Sequence, residues 1–232
     1  MKKIYYCQAS YNSKEINACL KVLKNQSLSL MTGKKVQMLE KKIANLFGKK
    51  YALMVNSGSS ANLLAIQSLN LKKNSEVITP SLTFSTTISP IYQSGLIPNF
   101  IDVRKDTFVA DVEQIENQIN KNTKIILIPN LIGNIANWYK ISKLAKKYKL
   151  ITIEDSADTL GYKLKGHNTG KLSDIVTNSF YASHIVSGAG FGGIVCFNNK
   201  KHYLRAKLLR GWGRSSALFN EDEDFKKRFG KK

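Results

Sequence analysis

The chain has 232 residues, of which 43% are hydrophobic and 9% aromatic, and this is enough for one large core or for one domain with a small appendage. A formal net charge of +20 would suit a nucleic-acid or anionic-membrane partner, but the lysines are spread along the whole chain, so we expect a solvated basic surface and neither partner. No apolar run reaches the roughly 18 residues that span a bilayer, and no apolar signal core follows the basic start, so we expect a cytoplasmic protein.

Capping residues and apolar spacing predict alternating helices and strands in the first half of the chain. Asn12 and Glu15 form a capping-box pattern that opens one helix, and Asp111 caps another. Short apolar runs bounded by turn residues predict strands. The predicted helices lie at 12–24, 36–47 and 61–69, within 80–93 and after 111, and the predicted strands lie at 51–55, 76–79 and 97–103.

The second half continues the alternation, with near-continuous apolar strands and one amphipathic basic helix. Glu154 and Asp155 stand at the carboxyl end of one of these strands. From residue 210 onward the apolar periodicity is lost and the sequence becomes charged. The predicted strands lie at 124–129, 151–153, 174–180 and 194–197, and the predicted helix lies at 138–148.

This alternation is typical of an α/β protein with a mostly parallel sheet and helices on both faces, a three-layer α/β/α arrangement. Ligands bind such sheets at the carboxyl ends of the strands. Polar and glycine residues follow several of the predicted strands at this edge, and their convergence is a stronger signal than any one motif. They are 57–60, 83–86, 133–134, Asp155 and 179–184.

Two of these segments are ambiguous when each is taken alone. Ser57–Ser60, between a strand and a helix, would make an anion cradle from free backbone N–H groups and the helix dipole, but an ordinary N-cap serine would produce the same pattern. Residues 179–184 present a hydroxyl, an aromatic ring and an imidazole after a strand. By itself this second segment also fits a plain strand and turn with an incidental histidine.

Four ordered motifs together resemble one family. They are NSGSSANL at 56–63, PSLTF at 80–84, IEDSAD at 153–158, and Ser179-Phe180. In this order and spacing they resemble the DegT/DnrJ/EryC1/StrS sugar aminotransferase family, and the resemblance covers nearly the whole chain. It implies the large domain of a fold-type-I pyridoxal 5'-phosphate (PLP) enzyme.

The resemblance implies a phosphate site and a ring site for the cofactor. Gly58, Ser59 and Ser60 would hold the phosphate through N–H groups and hydroxyls, and Ser179 would add a hydrogen bond. Phe84 would stack on the pyridine ring; without the resemblance it reads equally well as a core residue.

Two carboxylates would complete the ring site. Asp155 would pair with the pyridinium nitrogen and keep the ring an electron sink, although alone it could be a helix cap or a surface partner. Asp158 would lie near the ring hydroxyl, where the aminotransferases usually carry Gln or His.

The most informative departure from the family pattern is His184, which stands where the aminotransferases have their Schiff-base lysine. Histidine has no primary amine and cannot make that link. The change resembles the deoxysugar 3-dehydrase branch, which binds pyridoxamine 5'-phosphate (PMP) non-covalently. His184 would then take a proton from the cofactor while the C3 hydroxyl leaves a nucleotide-linked 4-keto-6-deoxy sugar.

One type of dehydrase uses an iron–sulfur cluster whose cysteines begin at the stretch matching 211–216, where this chain has Ser215 and Ser216. The three cysteines, Cys7, Cys19 and Cys196, have neither metal spacing nor a disulfide framework. We therefore expect no cluster, no metal and a reducing setting, with an amino-acid donor recharging the cofactor. The run AGFGG at 189–193 lacks the glutamate usual in the family, which leaves the sugar open.

Family members are considerably longer and carry a C-terminal small domain. We expect residues 1–210 to be the cofactor-binding large domain and 211–232 to begin the linker to that domain, with a homodimer if the protein is complete. Two alternatives remain: a sugar aminotransferase that uses another lysine, and an inactive fragment that acts only as a binding module.

Overall fold

The computed structural model describes residues 3–5, 10–25 and 33–218. Helices and strands alternate along most of this length. The helices are α1 Ser13–Leu23, α2 Lys34–Leu46, α3 Gly58–Gln67, α4 Ser85–Gln93, α5 Val112–Gln118, α6 Trp138–Tyr148 and α7 Lys200–Arg210. The strands are β1 Tyr51–Val55, β2 Glu76–Pro80, β3 Ile97–Ile101, β4 Thr123–Pro129, β5 Ile151–Asp155, β6 Lys163–Leu164, β7 His167–Asn168, β8 Ile175–Ser179 and β9 Gly193–Phe197.

Seven of these strands form one sheet in the order β1-β9-β8-β5-β4-β2-β3. The pairs β2–β3, β2–β4, β4–β5 and β5–β8 are parallel, while β9 runs antiparallel to both of its neighbours. The sheet is therefore mostly parallel, as the sequence predicted. The carboxyl ends of the parallel strands share one edge, and the antiparallel β9 brings its first residue, Gly193, to that same edge.

Helices cover both faces of the sheet, which confirms the three-layer α/β/α prediction. Within each strand, alternate residues enter different cores: Ile125 and Leu127 of β4 pack with α3, α4 and α7, whereas Ile126 and Ile128 pack with α5 and α6. A third cluster lies under α2, where Phe47 packs against β1, β8 and β9. Burial on both faces explains why the strands read as apolar runs rather than as alternating patterns.

Several elements differ from the prediction or were missed. Helix α3 begins at Gly58, three residues before the predicted start, because Ser57 caps it and the small residues that follow are already helical. The hairpin of β6 and β7 has two-residue strands with little apolar content. Helix α7 carries six Lys, Arg and His residues and buries only Ala206 among its described side chains, so its sequence gave no amphipathic signal.

Other boundaries agree to within a few residues, and the capping box at Asn12 and Glu15 is present. Cys19 is exposed and Cys196 is buried, while Cys7 and the charged segment 219–232 lie outside the described residues. Within the described ranges, no helix has the length and apolar character needed to cross a bilayer.

Candidate active site

The sheet register brings the sequence-predicted site segments to one edge. Gly193 pairs with Val55 on one side and with Ser179 on the other, so the turn after β1 and the end of β8 flank the start of β9. Asp155 at the end of β5 pairs with Thr177 of the adjacent β8. The candidate residues on β1, β5 and β8 therefore belong to one continuous part of the edge.

The turn from β1 into α3 has the geometry of an anion cradle. Ser57 is the N-cap of α3, and its hydroxyl oxygen accepts a hydrogen bond from the Ser60 N–H at 3.1 Å. The same hydroxyl donates to Ser60 Oγ at 3.1 Å. The first N–H groups of a helix have no intrahelical acceptor, so those of Gly58 and Ser59 are available to an anion at the positive end of the helix.

Two glycines let the backbone of this turn lie against its neighbours. A Cβ at Gly58 would be 2.7 Å from Ser179 Cβ, and a Cβ at Gly193 would be 2.2 Å from the carbonyl carbon and oxygen of Ser57. Neither position has room for a side chain. The close approach places the Ser179 side chain beside the first turn of α3.

Asp155 is a buried carboxylate, 8% exposed, held by three hydrogen bonds. Its Oδ2 accepts from Asn62 Nδ2 at 2.9 Å and from Thr87 Oγ1 at 3.0 Å, and its Oδ1 accepts from the Ala157 N–H at 3.2 Å. Asn62 is fixed in turn, since its Oδ1 accepts from Thr177 Oγ1 at 2.6 Å. Helices α3 and α4 and strand β8 thus all fix the orientation of this carboxylate.

Burial raises the pKa of Asp155 above its ordinary value. The hydrogen bonds from Asn62, Ala157 and Thr87 oppose this rise, while the charge of Asp158 adds to it. A buried carboxylate of this kind gains from a positively charged group beside it, because the opposite charge favours the ionised form. The surroundings of Asp155 are therefore suited to a cationic ligand group.

His184 lies beside Asp158 at the same edge. The distance from His184 Nδ1 to Asp158 Oδ1 is 3.2 Å, and Asp158 Oδ2 accepts from the Ile132 N–H at 3.0 Å. The hydrogen bond from His184 lowers the pKa of Asp158, against the raising effect of partial burial. Asp158 thus joins the imidazole to the loop after β4, a contact that sequence reasoning did not foresee.

The ring of Phe84 is not packed in a core. The residue is 69% exposed and is the N-cap of α4, where its carbonyl accepts from the Thr87 N–H at 2.9 Å. One turn of α4 therefore links Phe84 to a partner of Asp155. Tyr181 and Phe191, further aromatic residues at this edge, have ring centroids 5.8 Å apart.

A buried polar network lies behind Asp155, on the other face of β5. Glu154 accepts hydrogen bonds from Asn130 Nδ2 at 2.8 Å, from Ser156 Oγ at 2.9 Å and from the Gly170 N–H at 2.9 Å. Burial raises the pKa of Glu154. Asn130 also accepts from Trp138 Nε1 at 3.0 Å, so the network joins β4, β5 and α6 beneath the loop that carries Asp158.

Sequence reasoning missed the polar partners Asn62, Thr87, Thr177 and Asn130. One signal was present for Asn62: it is an amide among apolar residues of a helix whose neighbours are buried, and a buried polar group needs a partner. The two threonines carried no such signal, because β-branched residues are ordinary in strands and near helix starts.

Two of the lysines that lie near the His184 motif in sequence have recorded side-chain contacts. Lys165 Nζ is 5.7 Å from the ring centroid of Tyr139, and Lys171 Nζ is 3.2 Å from His167 Nδ1. Among the residues that the structure describes, no group of three or more His, Cys, Asp and Glu side chains is placed to hold a metal ion.

Residues 9–232 match the profile of the DegT/DnrJ/EryC1/StrS aminotransferase family. The chain belongs to this family. The match spans the α3 turn, the Asp155 strand and the His184 loop, so the whole edge described above lies within the family's common region.

Two curated DegT-family relatives represent two kinds of enzyme. GDP-4-keto-6-deoxy-D-mannose 3-dehydratase of Yersinia pseudotuberculosis is 33% identical over 219 residues, which cover 91% of this chain and 55% of the relative. GDP-perosamine synthase of Escherichia coli O157:H7 is 34% identical over 216 residues, covering 92% of this chain and 58% of the relative. The chain thus spans little more than half the length of these relatives.

Solved structures of the family have the same fold. Escherichia coli GDP-4-keto-6-deoxy-D-mannose-3-dehydratase, with bound hydrated PLP, aligns with a TM-score of 0.80 at 32% identity, covering 88% of this chain and 52% of that one. NtdA of Bacillus subtilis, with bound PMP, aligns with a TM-score of 0.78 at 28% identity, covering 85% and 45%. The fold is therefore that of the PLP-dependent sugar aminotransferases and dehydrases.

Proposed function

We propose that this chain is the cofactor-binding large domain of a PLP/PMP-dependent enzyme that acts on a nucleotide-linked 4-keto-6-deoxy sugar, and that the reaction is a 3-dehydration with His184 as the base. Residues 1–210 form the domain, and 211–232 begin the linker to a small domain. The active unit is a homodimer, and an amino-acid donor recharges the cofactor. No iron–sulfur cluster takes part.

The donor set at the sheet edge fits the cofactor at both ends. The first turn of α3, at Gly58, Ser59 and Ser60, offers N–H groups and hydroxyls for a phosphate, and Ser179 lies against Gly58. Asp155, which is buried and held by the neutral donors Asn62, Thr87 and the Ala157 N–H, suits the protonated ring nitrogen. The two related structures with bound PMP and hydrated PLP support this assignment.

The bound cofactor supplies a primary amine and an electron-accepting ring. The protein's residues hold and orient the cofactor and move the proton. Asp155 would pair with the cofactor's ring nitrogen and keep it protonated, and Asn62 and Thr87 hold the Asp155 carboxylate in place. The exposed ring of Phe84 would pack on the face of the cofactor, and Asp158 would lie near the cofactor's ring hydroxyl.

One observation carries the choice of His184 as the base: its Nδ1 faces Asp158 Oδ1 at 3.2 Å. When Nδ1–H donates to this carboxylate, Nε2 is left as the unprotonated nitrogen that can accept a proton. Asp158 therefore orients the histidine for this proton transfer.

The alternative is a sugar aminotransferase in which some other lysine binds the cofactor covalently. The match to GDP-perosamine synthase supports this alternative. Lys165 and Lys171, two of the lysines near the motif in sequence, contact Tyr139 and His167. What favours the dehydrase is His184, a residue without a primary amine, in contact with Asp158 at the position where the aminotransferases carry their lysine.

The product distinguishes the two reactions. The chain, loaded with PMP and given GDP-4-keto-6-deoxymannose, should release a sugar nucleotide that has lost water at C3, detected by mass spectrometry. His184→Asn should retain the cofactor yet lose the reaction by about a hundredfold or more, as expected when a general base is removed. A sugar that has gained an amino group without losing water would contradict the dehydrase proposal.

A further inference from the structure

The turn that follows α7 has an unusual residue at its centre. The helix ends at Arg210 with Gly211 as its C-cap, and the Gly213 N–H donates to Leu208 O at 2.8 Å. This hydrogen bond closes a common helix C-capping motif. In this motif the residue immediately before the one that donates the N–H has a left-handed backbone conformation and is usually glycine. Here that residue is Trp212, with φ of 59°.

Folding alone gives no reason for a tryptophan at this position. A bulky side chain in the left-handed region is strained. Trp212 is also 73% exposed, so burial of its ring offsets little of the energy of this backbone strain. Such a residue points to a use for the exposed ring, since backbone strain concentrates at ligand-binding positions.

Arg214 lies over this ring. Its guanidinium carbon is 5.3 Å from the centroid of Trp212. The turn is tightly held, because a Cβ at Gly211 would be 2.4 Å from Ala217 Cβ, and the Arg214 N–H donates to Gly211 O at 3.1 Å. An exposed indole and an adjacent guanidinium therefore project together from a firm turn.

The turn lies at the same edge of the sheet as the candidate active site. Arg210 Nη1 donates to Met54 O at 3.1 Å and pairs with Glu40 Oε1 at 3.2 Å, and Glu40 Oε1 also accepts from the Met54 N–H at 2.8 Å. Met54 is next to the last residue of β1, which leads into the Ser57 turn. Since β9 alone separates β1 from β8 in the sheet, the carboxyl ends of β1 and β8 are about 10 Å apart.

We propose that Trp212 and Arg214 form a subsite for the nucleoside diphosphate part of the substrate. The base stacks on the indole, and Arg214 pairs with the diphosphate. Aromatic stacking suits any base, and a guanidinium matches phosphate oxygens in charge and geometry. This inference rests on the proposed function only in taking a nucleotide-linked sugar as the substrate.

The chain's own tryptophans allow a direct test. It has two, Trp138 and Trp212. Trp138 is 2% exposed and donates its Nε1–H to Asn130, so it serves as an internal reference. Titration of the 232-residue chain with GDP should quench the fluorescence of Trp212, and calorimetry on the same samples gives the dissociation constant.

The variants separate the two contacts. Trp212→Leu should weaken GDP and guanosine binding by about tenfold or more, and Trp212→Phe should restore most of it. Arg214→Gln should weaken GDP binding while leaving guanosine binding nearly unchanged. Trp212→Gly should also lose GDP binding, yet it should raise Tm by about 2 to 4 °C by removing the backbone strain.

The subsite proposal would be overturned if the chain does not bind GDP, or if Trp212→Leu binds GDP with unchanged affinity. The subsite would also be overturned if another part of the chain or a second copy shields the indole of Trp212. In that case acrylamide would not quench the fluorescence of Trp212 in the protein without GDP. PLP binding, measured separately by absorbance, keeps the two proposals apart. PLP bound without Trp212-dependent GDP binding refutes the subsite alone, and the reverse result supports the subsite while refuting the cofactor assignment.

Discussion

At the scale of single residues, three side chains carry the chemistry that we propose. Asp155 is buried against Asn62 and Thr87, and Asp158 faces His184. The two carboxylates have opposite pKa shifts, since burial raises that of Asp155 while the contact with His184 lowers that of Asp158. Their environments therefore fit different roles: that of Asp155 favours a cationic ligand group, and Asp158 contacts the imidazole of His184.

The Asp158–His184 contact predicts a pH-dependent contribution to stability. A carboxyl group whose pKa is lowered by folding stabilises the protein above its unfolded pKa, and this contribution is lost as the pH falls through the folded pKa. The difference in urea midpoint between the wild type and Asp158→Asn should therefore shrink as the pH falls below about 4. Equilibrium unfolding in urea at several pH values measures it.

His184→Asn supplies the control for this prediction. It should remove the part of this pH dependence that comes from the histidine, while the part from the Ile132 N–H remains. Asp158→Asn should therefore cost less stability in the His184→Asn background than in the wild type. If the two changes are additive at every pH, the histidine and the carboxylate do not interact.

At the scale of elements, the site depends on how closely the β1–α3 turn lies against β9 and β8. Gly193→Ala would place a methyl group 2.2 Å from the carbonyl carbon and oxygen of Ser57. The turn has to shift, so we expect a loss of about 1–3 kcal/mol in the free energy of unfolding and weaker PLP binding. Urea unfolding and absorbance titration with PLP check both effects.

Gly188→Ala is the matched change in the same segment. Its Cβ would be 3.2 Å from its nearest neighbour, Phe191 O, which is a milder contact. PLP binding should be nearly unchanged in this variant. Equal losses in the two variants would mean that the segment is sensitive everywhere and that the Gly193 contact has no special part.

The elements also show what the sequence could and could not predict. Strands such as β4, buried on both faces, were recognisable as apolar runs, and the Asn12 and Asp111 caps marked helix starts. Helix α7 was missed because charge covers most of its surface. The hairpin of β6 and β7 was missed because strands of two residues have no periodicity to detect.

At the scale of the whole molecule, parallel-sheet topology gathers residues distant in sequence at one edge. Motif positions alone therefore indicated the edge at which the candidate residues lie. They could not predict the partners Asn62, Thr87 and Ile132, because these contacts depend on how α3, α4 and the loop after β4 pack on the sheet. The pairing of Asp158 with His184 across 26 positions likewise needed the fold.

The central claim is that His184 makes the cofactor site non-covalent, and borohydride trapping tests it most directly. The chain is mixed with PLP, reduced with borohydride and weighed by intact mass spectrometry, beside His184→Lys, which restores an amine at that position. We predict cofactor binding with an unmodified mass for the wild type, and a reduced adduct at position 184 in the variant. A covalent adduct of the wild type that maps to one lysine would contradict the account.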